Sequence, residues 1–298
     1  LASELVRQLI DAGIHFGHRI SRWNPKMEPY IFGKRNLIHV IDIRETVKGV
    51  IRGKKFLERV VAEGGDVLFV GTKRQARHAV QTHAQRVDMP WVTERWLGGT
   101  LTNFDTIRSR LARLEELEAE EADGRLQQYS KKRISRANRE RRKIKRNLEG
   151  IRHMKRLPRA LVVIDVHREH IAVKEAKKLG IPTVCLIDTD SDPDYADIPI
   201  PGNDDSMRAI DVVLHHLAAA VESGRRASGA PPETDAERGR KRRSRRPTTA
   251  RAERAGVQPQ SEPAGAPATE SSSGADPPKP NPDDPSASPR VVSRTSSQ

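Results

Sequence analysis

The chain has 298 residues, with 54 Lys and Arg against 40 Asp and Glu and a formal net charge of +14. That balance favours a polyanionic partner, nucleic acid or an anionic membrane, and says little about fold. No apolar run reaches the 18 residues a spanning helix needs, and the lone Cys185 excludes a disulfide framework and a cysteine-based zinc site and fits a reducing cytosol.

In chain order, "LASELVRQLIDAG" is amphipathic and carries acid, so it reads as neither a signal nor a transit peptide. Next comes "HFGHRISRWNPKMEPYIFGKRN", residues 15–36, without a long apolar period. Its cations Arg19, Arg22, Lys26, Lys34 and Arg35 alternate with Phe16, Trp23, Tyr30 and Phe32. Basic groups hold phosphates and aromatic faces stack on bases, so the stretch suits a contact with RNA or protein. The competing reading is that Trp23 and Phe32 pin a long loop to the core.

"LIHVIDI" (37–43) predicts a strand, and "TVKGVIRGKKFLERVVAEG" a helix with Val47, Val50, Ile51, Phe56, Leu57 and Val60 at three-four spacing. "DVLFVG" is a strand, "KRQARHAVQTHAQRVD" a helix and "PWV" a short strand. Beyond residue 158, "RALVVIDV" and "PTVCLID" are strands around the helix "REHIAVKEAKKLG". A last helix carries Met207, Ile210, Val213, Leu214, Leu217 and Val221 on one face and ends at Gly224. The later strands are continuous apolar runs, the mark of strands buried on both faces. The fold class is therefore a doubly wound parallel α/β sheet.

Residues 103–158 interrupt that pattern. Thr102 offers an N-cap with Asp105 three residues on, and Ile107, Leu111, Leu114 and Leu117 follow at helical spacing. Asp123-Gly124 signals a turn, and Ile144, Leu148, Ile151 and Leu157 mark the return. This is an inserted αα-hairpin, protruding roughly 30 Å for an arm of about 20 residues. Its return arm holds "KKRISRANRERRKIKR" (131–146), ten cations against one Glu. That +9 equals the whole excess of residues 1–223. Like charges at i,i+4 weaken an isolated helix, so the run points to an anionic partner rather than to a merely solvated face. From residue 224 to 298 the chain is Pro-, Ser-, Ala- and Gly-rich with one basic cluster, "RGRKRRSRR", and reads as a disordered tail. The organisation is a discontinuous sheet domain (1–102 and 159–223), a helical hairpin (103–158) and the tail (224–298).

Ligands of doubly wound sheets sit beyond the carboxyl ends of the strands. Gly71-Thr72-Lys73 resembles half of a phosphate loop, but Gly65 and Gly71 flank a strand and Lys73 does not directly follow its glycine. No G-x-G-x-x-G or G-x-S-x-G occurs, and Asp165, Asp188, Asp190, Asp192 and Asp194 suit caps and loops better than acid–base work. His15 and His18 are spaced to share a metal, yet H-x-x-H alone lacks further ligands. Adjacent His215 and His216 point apart. No cofactor is required; a divalent metal, zinc or magnesium, would sit where His18 meets Asp188 and the "NDDS" turn, through Asp204 or Asp205, with Arg208 as the competing cation.

"LIDAGIHFGHRISRWNPKMEPYIFGKRNLIHVIDIRETV", "VLFVGTKRQA", "RWLGGTLTNFDTI" and "PGNDDSMRAI" together resemble the bacterial form of small-subunit ribosomal protein two. The resemblance runs from about Leu9 to Val221. It implies a Rossmann-like (flavodoxin-like) sheet with a coiled-coil hairpin at the head–body junction of the small subunit. It also implies contacts with small-subunit ribosomal RNA and no catalysis. Implied protein neighbours include ribosomal protein one; no membrane and no small-molecule substrate enter, and the place is the cytoplasmic ribosome. Leu1 in place of Met and the long basic tail depart from the pattern.

The residues expected to meet RNA or a partner are Arg19, Arg22, Trp23, Lys26, Lys34 and Arg35 in the N-terminal stretch, with Lys73, Arg74 and Arg95 near strand ends. On the hairpin they are Lys131, Lys132, Arg133 and Arg136, then Arg139, Arg142, Lys143 and Arg146. Two rival readings stand beside the structural one: a nucleotide- or metal-dependent enzyme on a Rossmann-like sheet, and a free nucleic-acid-binding adaptor acting through the basic tail.

Overall fold

A computed structural model describes residues 2–229. Helix α1 (Ala2–Asp11) leads into three short strands, β1 (Phe16–Arg19), β2 (Ile31–Arg35) and β3 (Ile38–Ile41). These form their own antiparallel sheet in the order β1-β3-β2. The second sheet holds β4 (Val67–Val70), β5 (Trp91–Val92), β6 (Ala160–Ile164), β7 (Thr183–Ile187) and β8 (Ile198–Pro201). All its pairings are parallel and the order is β5-β4-β6-β7-β8. Counted along the chain that is 2-1-3-4-5, a doubly wound order whose switch point lies between β4 and β6.

Every residue of β4, β6 and β7 is buried, because helices cover both faces. On one face Phe69, Val162 and Leu186 meet helices α2 (Ile43–Ala62), α3 (Arg74–Arg86) and α7 (Met207–Ala227). On the other, Leu68, Val163 and Cys185 meet α6 (His170–Leu179) and the roots of α4 (Phe104–Ala122) and α5 (Lys131–Leu148). Full burial of such a side chain contributes about 1.5–3 kcal/mol, so both layers are needed to hold the sheet between them.

The helix limits follow local chemistry. Asp42 caps α2 by accepting the Arg44 N–H, and α6 stops at Gly180, whose φ of 67° suits glycine. Helix α7 does not stop at Gly224 as its glycine suggests; it runs on to Ala227. A Cβ at Gly224 would lie 2.5 Å from the Glu58 carbonyl oxygen, so this glycine lets α7 approach α2 rather than ending a helix. Met207, placed by periodicity on the buried face, is 67 % exposed at the first turn of α7. "LIHVIDI" divides differently as well: β3 ends at Ile41 in the antiparallel sheet, and Ile43 already begins α2. The N-cap of α4 is Asn103, not Thr102, whose hydroxyl and N–H both turn to Glu175.

Helices α4 and α5 run antiparallel. Glu121 pairs with Arg141, and Glu118 pairs with Lys145 and with Arg152 at 2.5 Å. Leu114 and Leu117 are buried along α4, while Ile107, Leu111, Leu148, Ile151 and Met154 belong to the core on the α6 side. The root of this helical pair is therefore part of the sheet's core. The disordered-tail reading, from residue 230 onward, lies outside the described residues.

Candidate nucleic-acid interface

The small antiparallel sheet presents the aromatic–basic stretch. Asn36 and Leu37 have φ of 50° and 62°, the left-handed pair a tight two-residue hairpin turn demands, and they join β2 to β3. Trp23 is half-buried, its ring 5.1 Å from that of His39, with Lys34 Nζ 5.9 Å from the Trp23 ring centre. His39 is buried beneath it with no partner for either ring nitrogen. Burial, and then the Lys34 charge, hold its pKa below the ordinary histidine value. Phe16, Phe32 and Leu37 are exposed beside Arg19, Arg22, Lys34 and Arg35. Among the described residues those four cations have no ion-pair partner. Lys26 differs: it bonds Asp192 at 2.8 Å and Asp194 at 2.5 Å, and these carboxylates raise its pKa.

On the helical arm the cations divide into two sets. Arg141, Lys145 and Arg152 are used by the acids of α4. Lys131, Lys132, Arg133, Arg136, Arg139, Arg142, Lys143 and Arg146 are exposed and, among the described residues, lack an ion-pair partner. Arg133 lies 3.6 Å over the Tyr129 ring. Arg74 and Arg95, at the carboxyl edge of the sheet, are likewise exposed.

That edge also gathers a buried charge cluster. His18 Nδ1 is 3.0 Å from Asp188 Oδ2, and its Nε2 is 3.4 Å from Asp205 Oδ2. Lys73 is turned inward, with Nζ 2.7 Å from both Asp204 Oδ1 and Asp205 Oδ1 and 3.4 Å from Asp165 Oδ2. The cation that meets these acids is therefore Lys73; Arg208 is exposed on α7. Hydrogen bonding to Asp188 raises the His18 pKa to about 9, with the Asp188, Asp190 and Asp204 charges adding to it against the effect of burial. Burial, then Asp165 and Asp188, push Asp204 up, and Lys73 opposes them. His18, Asp188 and Asp204 each offer a donor atom within 4.8 Å of the others, and Asp204 Oδ2 has no hydrogen-bond partner. His15 does not join the group; it lies against Phe16, ring centres 4.1 Å apart.

Two buried acids have no counterpart among the residues that the sequence singles out. Glu169 accepts the Thr72 N–H at 2.8 Å and the Thr72 hydroxyl at 2.5 Å, tying the segment after β4 to the start of α6. Glu175 binds the loop before α4. Its sequence signal is a charge on an apolar stripe, between Ala172 and Ala176.

The fold defines a class, a doubly wound α/β protein, that carries on α5 and around an aromatic loop exposed cations without an ion-pair partner among the described residues. The family model for ribosomal protein S2 matches residues 9–224. A small ribosomal subunit protein uS2 from Rhodopirellula baltica is 59 % identical over 225 residues, covering 76 % of this chain and 86 % of the relative. One from Corynebacterium urealyticum is 50 % identical over 229 residues, covering 76 % and 85 %, and one from Mycobacterium leprae 47 % over 242, covering 79 % and 87 %. The chain belongs to the ribosomal protein S2 family. It is a structural constituent of the small subunit of the cytoplasmic ribosome, acting in translation beside ribosomal RNA and other ribosomal proteins, and is not an enzyme.

Proposed function

We propose that two surfaces hold this protein on small-subunit ribosomal RNA: the exposed cations of α5, on a coiled-coil arm formed with α4, and the Arg/Lys face around Trp23. The observation that carries the reading is the +9 charge of residues 131–146, with eight cations that pair with no carboxylate among the described residues. Phosphate contacts release counterions, so binding weakens with salt at a log–log slope of about −0.7 to −0.9 per contact. Co-sedimentation of the full chain with small subunits across a salt series tests this, and a flat response rejects it. A variant lacking residues 225–298 separates this reading from an adaptor acting through the tail, which alone predicts loss of binding. The exposed Phe16, Phe32 and Leu37 suit a protein neighbour on the same face, for which the family resemblance offers ribosomal protein one. Among the described residues no helix is long and apolar enough to cross a membrane.

Trp23 serves the interface more than the core. Trp23→Ala is expected to weaken subunit binding severalfold while lowering stability by less than about 2 kcal/mol, because it uncovers a histidine that gains solvation. A loss nearer the roughly 3–5 kcal/mol of core tryptophan truncations would assign Trp23 to the core.

A second reading concerns the charge cluster. One imidazole with two or three carboxylates suits zinc, and carboxylates alone suit magnesium. His18, Asp188 and Asp204 would hold such an ion, with Asp205 at the rim, and the unpartnered Asp204 Oδ2 supports it. Calorimetry of metal-stripped protein with zinc should show a heat that His18→Ala and Asp188→Asn abolish. No heat at micromolar zinc would exclude the site.

A further inference from the structure

Helix α4 leaves the sheet through the loop 93–103, and one carboxylate gathers that loop. Glu175 lies on the buried stripe of α6, only 8 % exposed. Its Oε1 accepts the Gly99 N–H at 2.8 Å and the Trp96 indole N–H at 3.2 Å. Its Oε2 accepts the Leu101 N–H at 3.0 Å and the Thr102 N–H at 3.2 Å. With the Thr102 hydroxyl at 3.4 Å from Oε2, five donors within seven consecutive residues thus converge on one group. Gly99, at φ 89°, makes the turn that aims them there, a conformation other residues adopt only under strain. Burial raises the Glu175 pKa, but the donors of Gly99, Leu101, Trp96 and Thr102 outweigh it and the net direction is down.

The chain has little other polar anchorage at this point. Asn103, the N-cap of α4, caps no helix N–H with its side chain; its bonds stay local, its N–H to the Gly99 carbonyl and its Oδ1 to the Thr106 hydroxyl, so among the described residues Glu175 is the last polar contact with another element before the helix starts at Phe104. Ile107 and Leu111 at the root of α4 resist separation from the core. Apolar contact is non-directional, however, whereas hydrogen bonds to an ionised acceptor are strong and directional. The contacts to Glu175 therefore fix orientation, and the apolar root fixes depth.

We propose that Glu175 is a positioning residue that sets the direction in which the α4–α5 arm leaves the sheet, and so where the basic face of α5 meets RNA. The second half of this statement rests on the RNA reading above. Spin labels at Ala122→Cys, exposed at the end of α4, and at Arg52→Cys, exposed on α2, report the arm's direction by pulsed dipolar spectroscopy on the full chain. Cys185 stays in place, since it is fully buried and its thiol pKa is pushed up to about 12.

The parent is expected to give one narrow distance distribution and Glu175→Ala one at least twice as wide. Glu175→Gln keeps the size but turns one acceptor oxygen into a donor that faces two N–H groups, so it should broaden the distribution too. A residue that only packs would lower the melting temperature without moving the distribution. Should the alanine variant fail to fold, the glutamine variant decides. An unchanged width in a folded variant overturns the inference. Ribosomal RNA affinity, measured in parallel, separates the two readings. A broadened arm with tenfold weaker binding supports both. A broadened arm with unchanged affinity supports the positioning role and overturns the RNA reading of the arm.

Discussion

Replacing Lys132, Arg136, Arg139 and Lys143 together by glutamine is expected to weaken binding to small-subunit ribosomal RNA by on the order of 10³-fold near 0.1 M salt. The four follow a four-three-four spacing, so they share one stripe of α5, and all are exposed. At a slope of about 0.7–0.9 per phosphate neutralised, removing one such cation near 0.1 M salt weakens binding about fivefold to eightfold, and the overall log–log slope falls by roughly 3. The fold should not suffer, because none of the four has an ion-pair partner among the described residues and like-charge repulsion along the helix is relieved. Arg141→Gln is the control. Arg141 already pairs with Glu121, so its replacement should leave the salt slope unchanged. A change below threefold with an unaltered slope in the quadruple variant would remove α5 from the RNA interface. Charge substitution is a cleaner test than cutting out 103–158, which would strip Ile107, Leu111, Leu148, Ile151 and Met154 from the core.

The parallel sheet was legible where burial dictated composition. β4, β6 and β7 are buried on both faces and so are written as unbroken apolar runs. β8 was not legible, because "IPIP" carries two prolines, which argue against a strand. It is tolerated because β8 is an edge, paired only with β7. β1 and β2 escaped notice for another reason. Each is short and mostly exposed on a separate small sheet, so neither the period of two nor an apolar run develops. The meeting of His18 with Asp188, Asp204 and Asp205 could be reasoned from strand order, since strand ends share an edge. That Lys73 turns inward could not, because a lysine after a strand looks the same whether it faces solvent or three carboxylates. Glu175 was hidden similarly: its donors are mostly backbone N–H groups, which leave no trace in residue identity.

Lys73 should matter more to stability than its place at a strand end suggests. Lys73→Met is expected to cost about 3–5 kcal/mol, the usual penalty for removing one partner of a buried ion pair. For a domain of this size that is roughly 10 °C in melting temperature. The cause is what remains: Asp204 is 1 % exposed, with Asp165 and Asp188 close enough to raise its pKa, and the Lys73 charge that opposes them is lost. Adding Asp204→Asn to Lys73→Met should therefore recover a large part of the loss, since the stranded charge is gone. The same balance bears on metal. In the parent, the Lys73 ammonium already engages Asp204 Oδ1 and its charge disfavours a second cation beside it. In Lys73→Met the carboxylates are released, so zinc should raise the melting temperature of this variant more than that of the parent. His18→Ala in the same background should remove the difference. A Lys73→Met protein that melts within about 2 °C of the parent without added metal would show that solvent, not Lys73, neutralises this edge of the sheet.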